Sequence, residues 1–263
     1  MEKEYRLTHL LILLAYLVST VQADESPMSQ LRQDMFFGYD RNVIPQPKNA
    51  SGTYPLQVLL GVAPKWMDME SNGVLTIICW LRLVWNDPRL AWDPSKHHNI
   101  STFRITPDEL WKPDIALYNK KDLDHGILAA DPRSSNINAH VQSNGNVLWI
   151  PPVSHKVLCE GVTYDNWPWG KQYCNLDFGS WTFDASQYDL NFYENKPELD
   201  LRNFGNYNQF KIMSQQGERK VTRYDCCPEQ YVSLNFKFSL RREYVVDPNL
   251  GRIDNPDWEG GEH

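Results

Sequence analysis

The chain holds 263 residues, 41% of them apolar and 22% charged, with 10 Trp, 13 Tyr and 10 Phe. Glycine and proline number only 14 and 17, which excludes a low-complexity or extensively disordered chain. Lys and Arg total 26 against 33 Asp and Glu, a formal charge of −7 with no long basic run, and this excludes binding to a nucleic-acid backbone.

Residues 1–23 carry Lys3 and Arg6, then a mostly aliphatic run from Leu10 to Val18, then Val21-Gln22-Ala23 with small residues where a leader is cut. This reads as a secretory signal peptide, so the product is expected to be secreted and extracellular. The segment also contains Glu2 and Glu4, and its removal leaves the charge at −7. Beyond it, the longest apolar stretch runs from Val74 to Trp85 and is broken by Arg82. A bilayer span needs ~20 apolar residues, so no membrane span is expected. The tripeptides Asn49-Ala50-Ser51 and Asn99-Ile100-Ser101 are candidate glycosylation sites consistent with export.

Ser26-Pro27, with Met28, Leu31 and Met35 at helical spacing, predicts a capped short helix. From about Tyr54 the pattern changes to alternation. Asn72-Gly73 and Asn144-Gly145 each lie between alternating segments, a hairpin signal. In the run from Val74, positions 75, 77, 79, 81, 83 and 85 are Leu, Ile, Cys, Leu, Leu and Trp. Cys79 therefore belongs to the core face, and Trp80 points outward beside Thr76 and Arg82. Near the end, Val232, Leu234, Phe236, Phe238 and Leu240 alternate with Ser233, Asn235, Lys237, Ser239 and Arg241, a strand with one dry and one wet face. The body is all-β, and two packed sheets follow. No repeat or linker divides residues 24–246, and the polar stretch 247–263 reads as a tail that frays.

Five cysteines in an exported chain predict disulfides and one residue left over. The parity of Cys79 makes it a buried free thiol, leaving Cys159, Cys174, Cys226 and Cys227 to pair. Neighbouring α-carbons lie ~3.8 Å apart, whereas ordinary bridges prefer ~4.4–6.8 Å. A Cys226–Cys227 bond would therefore be distorted, and two long-range bridges are the ordinary alternative.

Aromatic residues off the core are the functional clue. Trp80 faces out, a kink after Gly179-Ser180 re-aims Trp181, and Tyr224 and Tyr231 flank Cys226-Cys227 in a loop marked by Pro228. Electron-rich rings gathered without a carboxylate favour an amine or quaternary ammonium, each desolvated contact contributing about 2 kcal/mol. Catalysis has no comparable support. His97, His98 and His125 are the candidate metal ligands of an enzyme, but adjacent histidines on a strand point to opposite faces and chelate poorly. Nucleophile-elbow, zinc-protease and phosphate-loop motifs are absent from the sequence. No enzyme activity, metal or cofactor is expected.

Four segments carry a family resemblance: WLRLVWNDPRLAW from Trp80, LWKPDIALYN from Leu110, GSWTFD from Gly179, and Tyr-x-Cys-Cys-x-x-x-Tyr from Tyr224 to Tyr231. In this order, and from the opening helix to Arg242, the chain resembles the extracellular domain of nicotinic-type Cys-loop receptors. Members that reach the pre-membrane arginines, here Arg241-Arg242, and pass into a polar tail are soluble acetylcholine-binding proteins, which this chain resembles most.

The resemblance implies an immunoglobulin-like β-sandwich of about ten strands with a short N-terminal helix, assembled as a homopentamer with ligand sites between subunits. It implies a principal face of Tyr118, Trp181, Tyr224, Cys226, Cys227 and Tyr231, and a complementary face of Trp80, His140, Leu148 and Ile150. The implied ligands are acetylcholine, nicotine-like compounds and other cationic amines. Serotonin as ligand, or a subunit that assembles without binding, are the alternatives.

The complementary set depends on the hairpin register. A two-residue turn puts His140 and Leu148 on opposite faces, and a three-residue turn over Ser143-Asn144-Gly145 puts them together. The resemblance implies the three-residue turn, a Cys226–Cys227 bond and a Cys159–Cys174 bond. The loop between the last two departs from the receptor pattern, being one residue longer and reading Trp167-Pro168-Trp169-Gly170.

Overall fold

The computed structural model describes residues 26–46, 48–49, 52–53, 55–121, 128–129, 137–160, 167–225 and 227–257. The expected signal peptide, His125, Cys226 and the side chain of Asn49 lie outside the described residues.

The Ser26 hydroxyl accepts from the Ser29 N–H at 3.2 Å and caps helix α1 (Pro27–Phe36), with Pro27 in the first turn where its missing N–H is not needed. The helix buries Leu31 and Met35, while Met28 stays 44% exposed. A two-residue pair, β1 (Lys48–Asn49) and β2 (Gly52–Thr53), follows. Two long strands, β3 (Leu56–Met69) and β4 (Val74–Asn86), then form an antiparallel pair around Asn72-Gly73.

The remaining strands are β5 (Thr102–Ile105), β6 (Ile115–Leu117), β7 (Ala139–Gln142), β8 (Asn146–Trp149), β9 (Pro152–Leu158), β10 (Gln172–Ser180), β11 (Tyr188–Phe192), β12 (Phe210–Arg223) and β13 (Gln230–Arg242). A seven-stranded sheet runs β11-β3-β4-β8-β7-β5, with β9 pairing the remaining length of β4. A four-stranded sheet runs β12-β13-β10-β6.

The sheets meet through the predicted dry faces. Leu75, Ile77, Cys79, Leu81, Leu83 and Trp85 on β4 are buried, as are Val232, Leu234, Phe236, Phe238 and Leu240 on β13. Each such side chain contributes ~1.5–3 kcal/mol of burial. Rings cross the gap: Phe192 of β11 meets Phe236 of β13 at 5.2 Å, and His155 of β9 meets Phe178 of β10 at 6.3 Å. Cys159, just after β9, bonds Cys174 of β10 and staples one sheet to the other. Cys79 is free, and burial pushes its thiol up to about 12.

Three expectations are corrected. The wet face of β13 is largely covered, since Ser233, Asn235 and Ser239 are buried. As a central strand between β10 and β12, β13 presents short polar groups that its neighbours overlie, and the Ser214 and Ser239 hydroxyls lie 2.6 Å apart. Where a fraying tail was expected, residues 244–254 form a hairpin, β14 (Tyr244–Asp247) with β15 (Gly251–Asp254). Asn255 fastens it, donating its side-chain amide to the Arg242 carbonyl at 2.8 Å and its backbone N–H to the Glu243 carbonyl at 2.7 Å. Finally, His97 and His98 lie in a loop after a short turn at Pro94–Lys96 and not on a strand. His97 faces Asp34 at 3.9 Å, and His98 has a φ of 52°. Asn99, the second candidate sequon, is exposed in the same loop.

Candidate functional site

Trp181 follows the last residue of β10, and Tyr118 follows β6. Register brings the two strand ends together, Ser180 opposite Ile115 and Phe178 opposite Leu117. Asp114 fixes the turn beyond them. Its carboxylate accepts from the Ser180 hydroxyl and from the Thr182 N–H, each at 2.7 Å, and its carbonyl accepts from the Trp181 N–H at 3.3 Å. The Ser180 oxygen in turn accepts from the Phe183 N–H at 2.8 Å. Held this way, Trp181 is 60% exposed, as the predicted kink requires.

The Tyr118 ring centroid lies 6.4 Å from that of Trp181, and its hydroxyl donates to the Ser180 carbonyl at 2.6 Å. The ring lies across Gly179, where any Cβ would collide with it. Tyr224 and Tyr231, on either side of the β12–β13 tip, pair at 5.6 Å and are near enough to influence Tyr118. The Tyr118 phenol is pushed above its ordinary range by burial first, then by Tyr224, Asp177, Asp114 and Tyr231. Four rings thus gather at one end of the four-stranded sheet. Two carboxylates stand near Tyr118, and Asp114 spends its oxygens on the turn. Cys227 is disulfide-bonded.

The other expected residues stand on the seven-stranded sheet. His140 pairs Leu148, and Val84 pairs Leu148 from the other side, so one face holds all three. The turn is the three-residue one, with Gly145 at a φ of 83° and its N–H donating to the Gln142 carbonyl at 2.8 Å. Ile150 lies two residues beyond Leu148, and His140, Leu148 and Ile150 are all half-buried. Trp80 is 36% exposed, and the Lys65 ammonium sits 4.2 Å from its ring centroid.

Asp114 and Lys65 are the residues that sequence reasoning missed. The first lies inside the quoted LWKPDIALYN segment and was findable there as the one carboxylate among apolar neighbours. The second lies in no motif.

No helix among the described residues is long and apolar enough to cross a membrane. Comparison with known proteins converges. The chain is 33% identical over 214 residues to neuronal acetylcholine receptor subunit alpha-2 of Gallus gallus, covering 81% of this chain and 38% of that one. It is 31% identical over 240 residues to the alpha-2 subunit of Rattus norvegicus, covering 89% and 45%. The chain therefore spans less than half the length of these relatives. A solved structure of Capitella teleta AChBP in complex with lobeline superposes with a TM-score of 0.67 at 29% identity, over 82% of this chain and 98% of that one. The family model described as neurotransmitter-gated ion-channel ligand binding domain matches residues 28–244, and the chain belongs to that family.

Proposed function

We propose that this chain is a secreted, soluble acetylcholine-binding protein that holds acetylcholine and related quaternary or protonated amines in an aromatic cage between subunits, with no channel and no enzymatic activity. Tyr118, Trp181, Tyr224 and Tyr231, with the Cys226-Cys227 tip, form the principal face. Trp80, His140, Leu148 and Ile150 of a neighbouring subunit form the complementary face. The two sets stand on different sheets of one chain, which suits a ring of identical head-to-tail contacts, and a homopentamer is the assembly proposed.

The observation that carries the reading is Trp181, 60% exposed yet fastened through Asp114 and flanked by Tyr118. A large ring kept at the surface by hydrogen bonds is a built feature, and indole gives the strongest contact to a cation. Hairpin β14–β15 supports the soluble form, because the chain beyond the matched domain folds back onto Arg242. The neighbour from Capitella teleta supports the ligand class, lobeline being an amine.

Intrinsic fluorescence titration of the purified protein with acetylcholine, nicotine and serotonin tests the reading. Acetylcholine should quench with about micromolar affinity, ~8 kcal/mol, and Trp181→Ala should weaken it about thirtyfold. Binding by Trp181→Ala within twofold of wild type overturns the cage, and a marked preference for serotonin reassigns the amine.

A further inference from the structure

The outward face of the four-stranded sheet carries a groove of about 750 Å³. Strand alternation and register fix its floor. On β13, Asn235 stands between Asp177 of β10 and Glu218 of β12, and Ser239 stands between Tyr173 and Ser214. Asp177 and Tyr173 mark the two ends along β10, ~13 Å apart at ~3.3 Å of rise per residue.

The floor is buried yet polar. Asn235 is 3% exposed, and among the described residues its side-chain oxygen has no hydrogen-bond partner. The same holds for one carboxylate oxygen of Asp177, directly opposite on β10. Leaving buried acceptors without donors is costly, so two adjacent ones mark a place where an incoming ligand with donors gains most. The lining is balanced in charge: Glu160 and Asp177 stand against Lys220 and Lys237, and Lys237 pairs with Glu218 at 2.6 Å. At the far end Tyr173 stays 55% exposed, with the Lys171 ammonium 5.3 Å from its ring centroid.

We infer that this groove is a second binding site, for a short neutral saccharide. A balanced lining gives neither a cation nor an anion an advantage, whereas hydroxyl groups donate and accept at once. Neighbouring hydroxyls of one sugar unit donate to the Asp177 and Asn235 oxygens and accept from the lysines, and the apolar face of a further unit lies on Tyr173. The site does not depend on the proposed amine cage, since it uses the flat of the sheet and not its strand ends. Asp177 alone borders both, because its charge reaches the Tyr118 phenol, so the test leaves it unaltered.

The test titrates the full chain with lactose, maltose and cellobiose, followed by ligand-observed NMR, in wild type, Asn235→Leu, Tyr173→Ala and Trp181→Ala. Wild type should bind at least one of the three with about millimolar affinity, and Asn235→Leu and Tyr173→Ala should each weaken it about tenfold. Asn235→Leu keeps the volume and removes the unpartnered oxygen, so its urea midpoint should hold. Trp181→Ala should bind the sugar as wild type does, so failure of the cage leaves this site standing. The same disaccharide coupled to serum albumin separates the sources: capture of the conjugate assigns a protein-borne glycan, and binding of the free sugar alone assigns a soluble one. No binding by wild type to any of the three at about 10 mM overturns the proposal. So does undiminished binding by Asn235→Leu, or by the surface variant Tyr173→Ala where the first variant does not fold.

Discussion

Trp181 is carried on a turn that backbone and side-chain hydrogen bonds converge to fasten, whereas Trp80 stands on the flat of a long strand and takes its surroundings from whatever the next strand supplies. On the four-stranded sheet, one carboxylate, Asp114, decides where the ring points. On the seven-stranded sheet, register decides which residues share the face, and a single inserted residue, Lys65, sets an ammonium over Trp80. In the proposed cage, the first wall is thus vulnerable to local polar chemistry and the second to strand geometry.

The sharpest way to break this contrast is Asp114→Asn. The change keeps the shape but removes the charge from two short hydrogen bonds, to the Ser180 hydroxyl and the Thr182 N–H. Bonds to charged groups contribute about 1.5–3 kcal/mol each, so acetylcholine affinity should fall up to a hundredfold as Trp181 and Tyr118 lose their fixed relation. The Lys65–Trp80 arrangement on the other sheet should be untouched. Calorimetric titration measures the loss, and the urea midpoint of the variant distinguishes it from general unfolding.

His155 tests whether the regions depend on each other, because it lies on β9 of one sheet with its ring against Phe178 of the other. It is 2% exposed, and among the described residues neither ring nitrogen has a hydrogen-bond partner. Burial first, then the nearby Lys120 charge, pulls it down to about 4. Below its ordinary value of ~6.5 the unfolded chain takes up a proton that the folded one refuses, so stability is complete above that pH and drains as pH falls toward 4. The loss should reach about 3 kcal/mol at pH 4. Urea midpoints at pH 7 and pH 4 measure it, and His155→Phe should flatten the difference by that amount. An unchanged difference in the variant would show that acid loosens the sandwich elsewhere.

Much of this was legible in the chain itself. Period two placed Cys79 inside and Trp80 outside because a strand alternates faces whatever its partners are. The Trp181 kink was legible because Gly179-Ser180 shifts the apolar parity. The turn at Ser143-Asn144-Gly145 was not decided by its residues, since Asn-Gly suits two turn lengths and only the pairing of His140 with Leu148 chooses between them. The Lys65 bulge was hidden for a stronger reason: it is braced by Asn208, 143 residues away along the chain. The hairpin after Tyr244 was masked likewise, its polar composition stabilised by Asn255 against Arg242 and not by an apolar face.

The gentlest probe addresses the proposed complementary face through its turn. Gly145 has a φ of 83°, and a Cβ there would stand 2.5 Å from the Asp87 carbonyl oxygen. Its own carbonyl accepts the Asp87 N–H at 2.9 Å, so the turn is tied to the end of β4. Alanine in this left-handed conformation costs about 1–2 kcal/mol, and the contact with Asp87 pushes the hairpin tip outward. Because His140 and Leu148 are paired only a few residues behind the tip, Gly145→Ala should weaken acetylcholine by about two- to threefold, far less than Asp114→Asn. Stability should drop by at least the backbone cost, since the Asp87 contact adds to it. Denaturant unfolding alongside ligand titration checks both numbers, and a loss of affinity as large as that of Asp114→Asn would mean that the two faces are set by one shared constraint and not by the separate devices described above.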